Sequence, residues 1–274
     1  ANLTFKNTTV KADRLYVEDP GSTDATFAFD KAYVTLSGDR NYETIICSEL
    51  NLTDCEFLYP ASASFSATEK AVVDAEGYGI IDDIVIGRTY GLVVGDVEVT
   101  DRNKDNITGA AITGTISYDS ETSTLTLDNA SIAATAEFGI KQLTELDSLH
   151  INVVGNDTVR GKDTPILLYT NTAMSISGDG HLYVELPESE SLHGFSSAIQ
   201  LESGAAMTIR NTSLEVVSAK HGICNMGMTL AKLAIDHSTV SIKCPTGTTA
   251  IGGMESLDLS GCQILSPADA YYNN

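Results

Sequence analysis

Leu125 and Leu127 alternate with Thr124 and Thr126, Asp128 and Asn129 follow, and Ile132 begins another apolar run. Alternation with period two over so short a span predicts a half-buried strand, and the Asp-Asn pair predicts a bend into a second strand. The same shape returns along the chain. The apolar residue two places before the bend falls at Leu127, Val153, Ile176, Ile209, Ile235 and Leu259, at intervals of 26, 23, 33, 26 and 24 residues. A period in the twenties is the signature of a solenoid, in which each repeat buries its apolar face against its neighbours. The bend itself carries Asn129, Gly155, Gly178, Asn211, His237 and Gly261. Gly and Asn reach positive φ more readily than other residues, so five of these six suit a left-handed corner. A second ladder, Ile140, Ile166, Ile199, Ile223 and Ile251, keeps step with the first, which implies several strands per coil.

Short strands at this spacing, with no room for a helix in each repeat, predict an all-β chain folded as a right-handed parallel β-helix. Leucine-rich repeats are the alternative, but their asparagine-centred consensus is absent. An Ig-like sandwich would not place a corner residue in register six times.

The N-terminal segment repeats the C-terminal one. ANLTFKNTTV (1–10) matches AAMTIRNTSL (205–214), FAFDKAYVTL (27–36) matches LAIDHSTVSI (233–242), and LNLTDCEFLYPASA (50–63) matches LDLSGCQILSPADA (257–270). Even the exceptional corner is duplicated, since Lys31 stands where His237 stands. Between the copies, 70–87 reads as a hairpin about Glu76-Gly77 and 90–100 as one about Gly95-Asp96. Antiparallel strands of this kind are suited to covering the open end of a parallel coil. The expected organisation is therefore the last coils and closing hairpin of a first repeat domain in 1–87, then a second domain in 88–274 without its closing segment, as in a piece of a longer array.

Composition narrows the range of partners. The 274 residues carry a net charge of −21, which argues against nucleic acid and anionic membranes and permits cations, basic surfaces or neutral glycans. No apolar run approaches the roughly 20 residues of a membrane-spanning helix. Five cysteines without CxxC spacing disfavour both a disulfide framework and a zinc site, and buried free thiols are the simpler reading.

YGLVVGDVEVTDRNKDNITG (90–109) followed by GTISYDSETSTLTLDNASI (114–132) resembles the opening of a repeat domain of secreted and surface-anchored proteins from gut Bacteroidetes and Firmicutes, described as adhesins or carbohydrate-binding proteins of β-helical fold. The likeness covers 70–274, and 1–66 through the duplication. The resemblance implies an extracellular or cell-surface location and non-catalytic binding to a polysaccharide or a host or cell-surface glycoprotein. It brings no established ligand-contacting residue.

Candidate chemistry must therefore rest on the residues. Asp101, Asn103 and Asp105 alternate in DRNKDN, a spacing that can turn three oxygens toward one calcium ion, although no cofactor is required and a solvated turn is the plainer reading. The 33-residue interval holds about eight extra residues within 181–198, a loop insertion of the kind that often carries binding. Tyr183, Glu188, Glu190 and His193 are the ligand candidates there, Tyr183 as an aromatic platform in a chain without tryptophan. Asp82-Asp83 could imitate a glycosidase pair but lies in a linking segment. The basic residues Arg160, Lys162, Arg210, Lys220, Lys232 and Lys243 show no cluster in the sequence, and the histidines read as exposed strand or loop positions. A lyase or hydrolase would need acids, with or without Arg and Lys, gathered on one face of adjacent coils. A passive stalk would need neither groove nor ligand.

Overall fold

A computed structural model describes residues 2–18, 24–188 and 196–263. Among these, every regular element is a strand, and the strands stack in parallel as a β-helix, the fold that the repeat period predicts. The chain divides into two compact units, one of residues 1–89 with 100–102 and one of residues 90–99 with 103–274.

The second unit has three faces. The N-terminal half of Thr124–Ala133 begins the first, continued by Ser148–Val154, Ala173–Ser177, Ala206–Arg210, Ala231–Asp236 and Met254–Ser260, all parallel. The second face starts from the other half of Thr124–Ala133 and adds Asn156–Arg160, His181–Leu186, Ser213–Ser218 and Thr239–Lys243. The third stacks Phe138–Gln142, Thr164–Leu168, Ser197–Leu201, His221–Asn225 and Ile251–Gly252. The first coil is covered by antiparallel strands: Thr89–Val94 lies on Phe138–Gln142, and Ile112–Asp119 lies on Thr124–Ala133. The expected bend at Gly95-Asp96 turns Thr89–Val94 into its neighbour Val97–Thr100, with φ of 54° and 69° at the two turn residues, as a two-residue primed turn requires.

Each repeat contributes apolar side chains from all three faces to one continuous core. The isoleucine ladder pairs as expected, Ile140 with Ile166, then Ile199, Ile223 and Ile251. The first four are wholly buried, each contributing about 1.5–3 kcal/mol of transfer free energy. All six bend residues have positive φ, His237 included at 44°. The other ladder differs at one step. Ile176 pairs with Ile151 and not with Val153, so the strand of the third coil ends two residues earlier than the spacing suggested. The cause is the place of the glycine within the corner, since Gly155 aligns with Gly180 and not with Gly178. Three residues join the first and second faces in the second and third coils, Val153-Val154-Gly155 and Gly178-Asp179-Gly180, where Asn211-Thr212 and His237-Ser238 suffice later. Gly155 sits over the Asn129 side chain, where a Cβ would come within 2.5 Å of the carboxamide oxygen.

The first unit repeats the plan with fewer coils. Its first face is Asn2–Lys6, Thr26–Asp30 and Glu49–Thr53. Its corners at Asn7, Lys31 and Asp54 have φ of 47°, 50° and 48°, matching Asn211, His237 and Gly261 in sequence position and sign. Closure keeps a short hairpin about Glu76-Gly77 and sends the strand beyond it elsewhere. The chain does turn back on itself there, with an antiparallel bridge between Val73 and Gly79, Asp74 N–H donating to Tyr78 O at 2.9 Å and Ile80 N–H donating to Val72 O at 3.0 Å, but Ile84–Gly87 does not pair with Ala71–Val73. Ala71–Val73 lies antiparallel between Ile45–Ile46 and Ser64–Ser66 on the third face. Ile84–Gly87 crosses to the second face and lies antiparallel between Tyr33–Leu36 and Glu56–Tyr59. Four consecutive apolar or small residues, all buried, let this strand face the core with Ile84 and Ile86 while Val85 is covered on the other side.

Candidate functional site

On the second face of the second unit, side chains alternate between core and surface. Val159, Leu182, Val184, Leu214 and Val216 point inward and are buried. Parallel register then lines up the outward positions in columns. Ser131, Thr158, Tyr183, Glu215 and Ser241 form one, and Arg160, Glu185, Val217 and Lys243 form the next. Asn156, His181, Ser213 and Thr239 form a third. Coils in register thus gather residues up to 83 positions apart, Arg160 and Lys243, around the half-buried ring of Tyr183.

Ion pairs hold the surroundings in place. Arg160 Nε pairs with Glu185 Oε2, and Lys243 Nζ lies 2.6 Å from Glu215 Oε1. His181 donates or accepts at Ser213 Oγ through Nδ1 at 3.0 Å, and its Nε2 stands 3.9 Å from Glu215 Oε2. The hydrogen bond from Lys243, with its charge, holds the Glu215 carboxyl below the usual range, and the same contact raises Lys243. Burial, followed by the charge of Glu185, pushes the Tyr183 phenol up, so it stays neutral and able both to donate and to accept. The result is an aromatic ring on a strand paired on both sides, flanked by carboxylates, cations and hydroxyls joined by ion pairs and hydrogen bonds.

Among the described residues, Tyr183 is therefore the ligand candidate from the insertion that joins a cluster. Glu188 is exposed, just past the end of its strand, and Glu190 and His193 lie outside the described residues. Arg160 and Lys243 share a column on one face but stand three strands apart, each paired with its own carboxylate, so the basic residues form no cluster there. His181, Glu185 and Glu215 were not candidates from the sequence. Laying the strands out by their ladder residues is the signal that would have found them.

The DRNKDN side chains have separate engagements. Asp101 is 8 % exposed, and its Oδ2 accepts from the Arg88 backbone N–H at 2.8 Å and from Arg88 Nε at 3.2 Å. Asn103 Nδ2 donates to Glu98 O at 2.8 Å, and the exposed Asp105 pairs with Lys104 at 3.1 Å. Among the described residues, no three His, Cys, Asp or Glu side chains form a group that could hold a metal. Asp82 is exposed and stands 3.7 Å from Arg40.

In the first unit, a surface cavity of about 330 Å³ is lined by Asp54, Cys55, Glu56, Arg88 and Thr89. Its polar groups already have partners: Arg88 has Asp101, Thr89 Oγ1 donates to Glu56 at 2.9 Å, and Asp54 lies 3.7 Å from Lys31. All five cysteines are free. Cys55 and Cys262 hold equivalent places, their thiols facing Phe29 O at 3.4 Å and Ile235 O at 3.8 Å.

Compared with family models, curated proteins and solved structures, the chain matches none.

Proposed function

We propose that this β-helix is an extracellular or cell-surface binding module that recognises a polysaccharide or the glycan of a cell-surface glycoprotein, without catalysis, through the Tyr183 face. The observation that carries this reading is the half-buried Tyr183 ring set among Arg160, Glu185, Glu215, Lys243 and His181 on adjacent coils. A sugar presents an apolar C–H face and a rim of hydroxyls, and this surface offers an aromatic ring with a rim of charged hydrogen-bonding groups. The flat solenoid extends the same chemistry. On the first face Thr124, His150, Ser175 and Thr208 form an outward column, so a chain of sugars could add weak contacts along successive coils. The extracellular location rests on the sequence resemblance. The strong negative charge disfavours nucleic acid and membrane surfaces as alternatives.

One observation favours a catalytic reading: Glu185 and Glu215 stand on adjacent coils with Arg160 and Lys243 beside them. Glycoside cleavage needs one carboxyl that keeps its proton beside one that is ionised; Lys243 suits Glu215 to the ionised role alone, and Glu185 stands against the cation of Arg160 and not in an apolar pocket of the kind that keeps a carboxyl protonated. Binding is the better account.

The test is affinity electrophoresis through gels containing a panel of plant and host polysaccharides, with Tyr183→Ala run beside the unaltered chain. Retardation by at least one glycan is expected, weakened about fivefold or more in the variant, as loss of about 1 kcal/mol of ring contact predicts. Migration unaffected by every glycan would defeat this reading in favour of a passive stalk, and release of reducing ends would establish the enzyme.

A further inference from the structure

His181 lies two residues before Tyr183 on the same strand, and parallel register sets Ser213 opposite His181 and Glu215 opposite Tyr183 on the next coil. The four outward side chains start from the corners of a rectangle, about 4.8 Å across the coils and about 6.6 Å along the strands. Ser213 Oγ meets His181 Nδ1 at 3.0 Å, which orients the imidazole. Glu215 engages Lys243 Nζ through Oε1 at 2.6 Å, and its Oε2 stands 3.9 Å from His181 Nε2. That diagonal is too long for a direct hydrogen bond, and it is the right length for one oxygen to bridge at about 2.8 Å from each atom. Neither atom has a hydrogen bond to the protein among the described residues. Both side chains are open to a ligand, at 37 % and 29 % exposure.

The two atoms differ in kind. The hydrogen bond from Lys243 keeps the Glu215 carboxyl below the usual range, so Oε2 accepts and does not donate. A carboxylate opposite Nε2 favours the imidazole tautomer with its proton on that nitrogen, Ser213 then donating to Nδ1. A doubly protonated ring carries a proton there as well, so Nε2 donates in both forms. A hydroxyl, which donates one hydrogen bond and accepts others, satisfies both atoms at once. A carboxylate or sulfate oxygen has no proton for Oε2 and sets a like charge beside it, and an O-acetyl ester has no proton to give either.

We propose that His181 Nε2 and Glu215 Oε2 together hold one free hydroxyl of a neutral sugar whose ring lies on Tyr183, so that these two residues set the specificity of the face. The proposal rests on the Tyr183 reading and adds the class of sugar: uncharged, with an unsubstituted hydroxyl on the edge that reaches the next coil. The net charge of −21 acts in the same sense, since it repels acidic polysaccharides.

The test is affinity electrophoresis of the full chain through gels of neutral polysaccharides (galactomannan, xyloglucan, mixed-linkage glucan and starch) and of acidic ones (polygalacturonate, hyaluronate and chondroitin sulfate). Tyr183→Ala, His181→Phe and Glu215→Gln, each checked by its circular dichroism melt, run beside the unaltered chain. Retardation by a neutral polysaccharide and by none of the acidic ones is expected. His181→Phe keeps a ring but removes the donor, and should weaken that retardation about fivefold or more, as should Glu215→Gln. The retained polysaccharide is then partly O-acetylated with acetic anhydride. Acetylation should weaken the unaltered chain more than either variant, because the variants have already lost the contact with the blocked hydroxyl. Three results overturn the proposal and leave the Tyr183 reading standing: retardation by acidic polysaccharides alone, His181→Phe within about twofold of the unaltered chain while Tyr183→Ala is weakened, or an equal loss on acetylation in all three chains. Migration unaffected by every gel removes the Tyr183 reading and this one with it. The comparison of neutral with acidic gels needs only the unaltered chain, so it decides even where a variant fails to fold.

Discussion

Gly178 and Gly247 separate the two reasons for which a solenoid corner demands glycine. Both have positive φ, 130° and 88°, and both lie in the second unit. A Cβ at Gly247 would meet nothing within 4 Å, so Gly247→Ala should cost only the left-handed torsion, about 1 kcal/mol. A Cβ at Gly178 would press on the Val153 carbonyl and stand 2.7 Å from Val153 N, closer than real Cβ contacts allow. Relief requires the second coil to shift. That carbonyl accepts from Gly180 N–H at 3.1 Å, so moving it also weakens the hydrogen bond that sets the spacing of the two coils. Torsion, overpacking and the weakened bond together amount to a loss on the order of 4 kcal/mol for Gly178→Ala. Urea denaturation followed by far-ultraviolet circular dichroism measures both variants against the parent. Free-energy losses within about 1 kcal/mol of each other would refute the claim that close coil stacking, and not backbone torsion, fixes glycine at this corner.

Other groups give independent checks. Burial pushes the Cys47 and Cys224 thiols up to about 11, so at pH 8 the native chain should give a thiol reagent fewer than its five cysteines, and all five after denaturation. Five rapid equivalents in the native state would contradict the burial. Burial, with a contribution from the charge of Arg210, lowers the pKa of His150, which lies between Ser175 Oγ at 2.8 Å and Ser177 Oγ at 3.2 Å. Because the folded pKa lies below the unfolded value of about 6.5, the neutral ring's contribution is complete above that pH and is lost as pH falls below it. His150→Gln should lack this component of the pH profile, and identical profiles would refute it. Asp101→Ala strips Arg88 of a backbone and a guanidinium acceptor and should cost about 2 kcal/mol in the first unit, read by urea denaturation. Since Arg88 occupies that carboxylate, millimolar calcium should leave the melting temperature of the unaltered chain unmoved, and a rise would restore calcium as a ligand of this segment.

Parity explains what the sequence made legible. Alternation told inside from outside on each strand, so the core ladders could be read from spacing alone, and Ile140 through Ile251 pair as their intervals indicate. The place of the glycine within the corner was not legible. Val153 and Ile151 are both inward residues two apart, and either fits the apolar pattern, so only the alignment of Gly155 with Gly180, and not with Gly178, decides which of them meets Ile176. The turn about Glu76-Gly77 is legible, but the place of the strand beyond it is not. Ile84–Gly87 carries turn-flanked apolar residues suited to a hairpin, yet its better partner is the apolar edge of Tyr33–Leu36, far along the chain. The site was legible only in Tyr183, because Arg160, Glu185, Glu215 and Lys243 become neighbours through register across coils, and none marks the others by proximity in sequence.

The same parity constrains how such a face can change. A one-residue slip of a strand against its neighbour exchanges its two sides, which would bury Tyr183 and Glu185 and expose Leu182 and Val184. The second and third coils nonetheless carry an extra residue at the corner without any exchange, since Asn152 still meets Ser177 and Asn156 still meets His181. The corner absorbs the residue because glycine there allows close stacking, Gly180 N–H reaching Val153 O and His181 N–H reaching Gly155 O at 2.7 Å. Corner glycines thus keep Tyr183 outward and in column with Glu215. Length changes at the corner are compatible with an unchanged surface, whereas length changes within the strands are not. The 181–198 segment obeys the same rule, since its added residues come after His181–Leu186 has completed its pairings and before Ser197–Leu201 begins them.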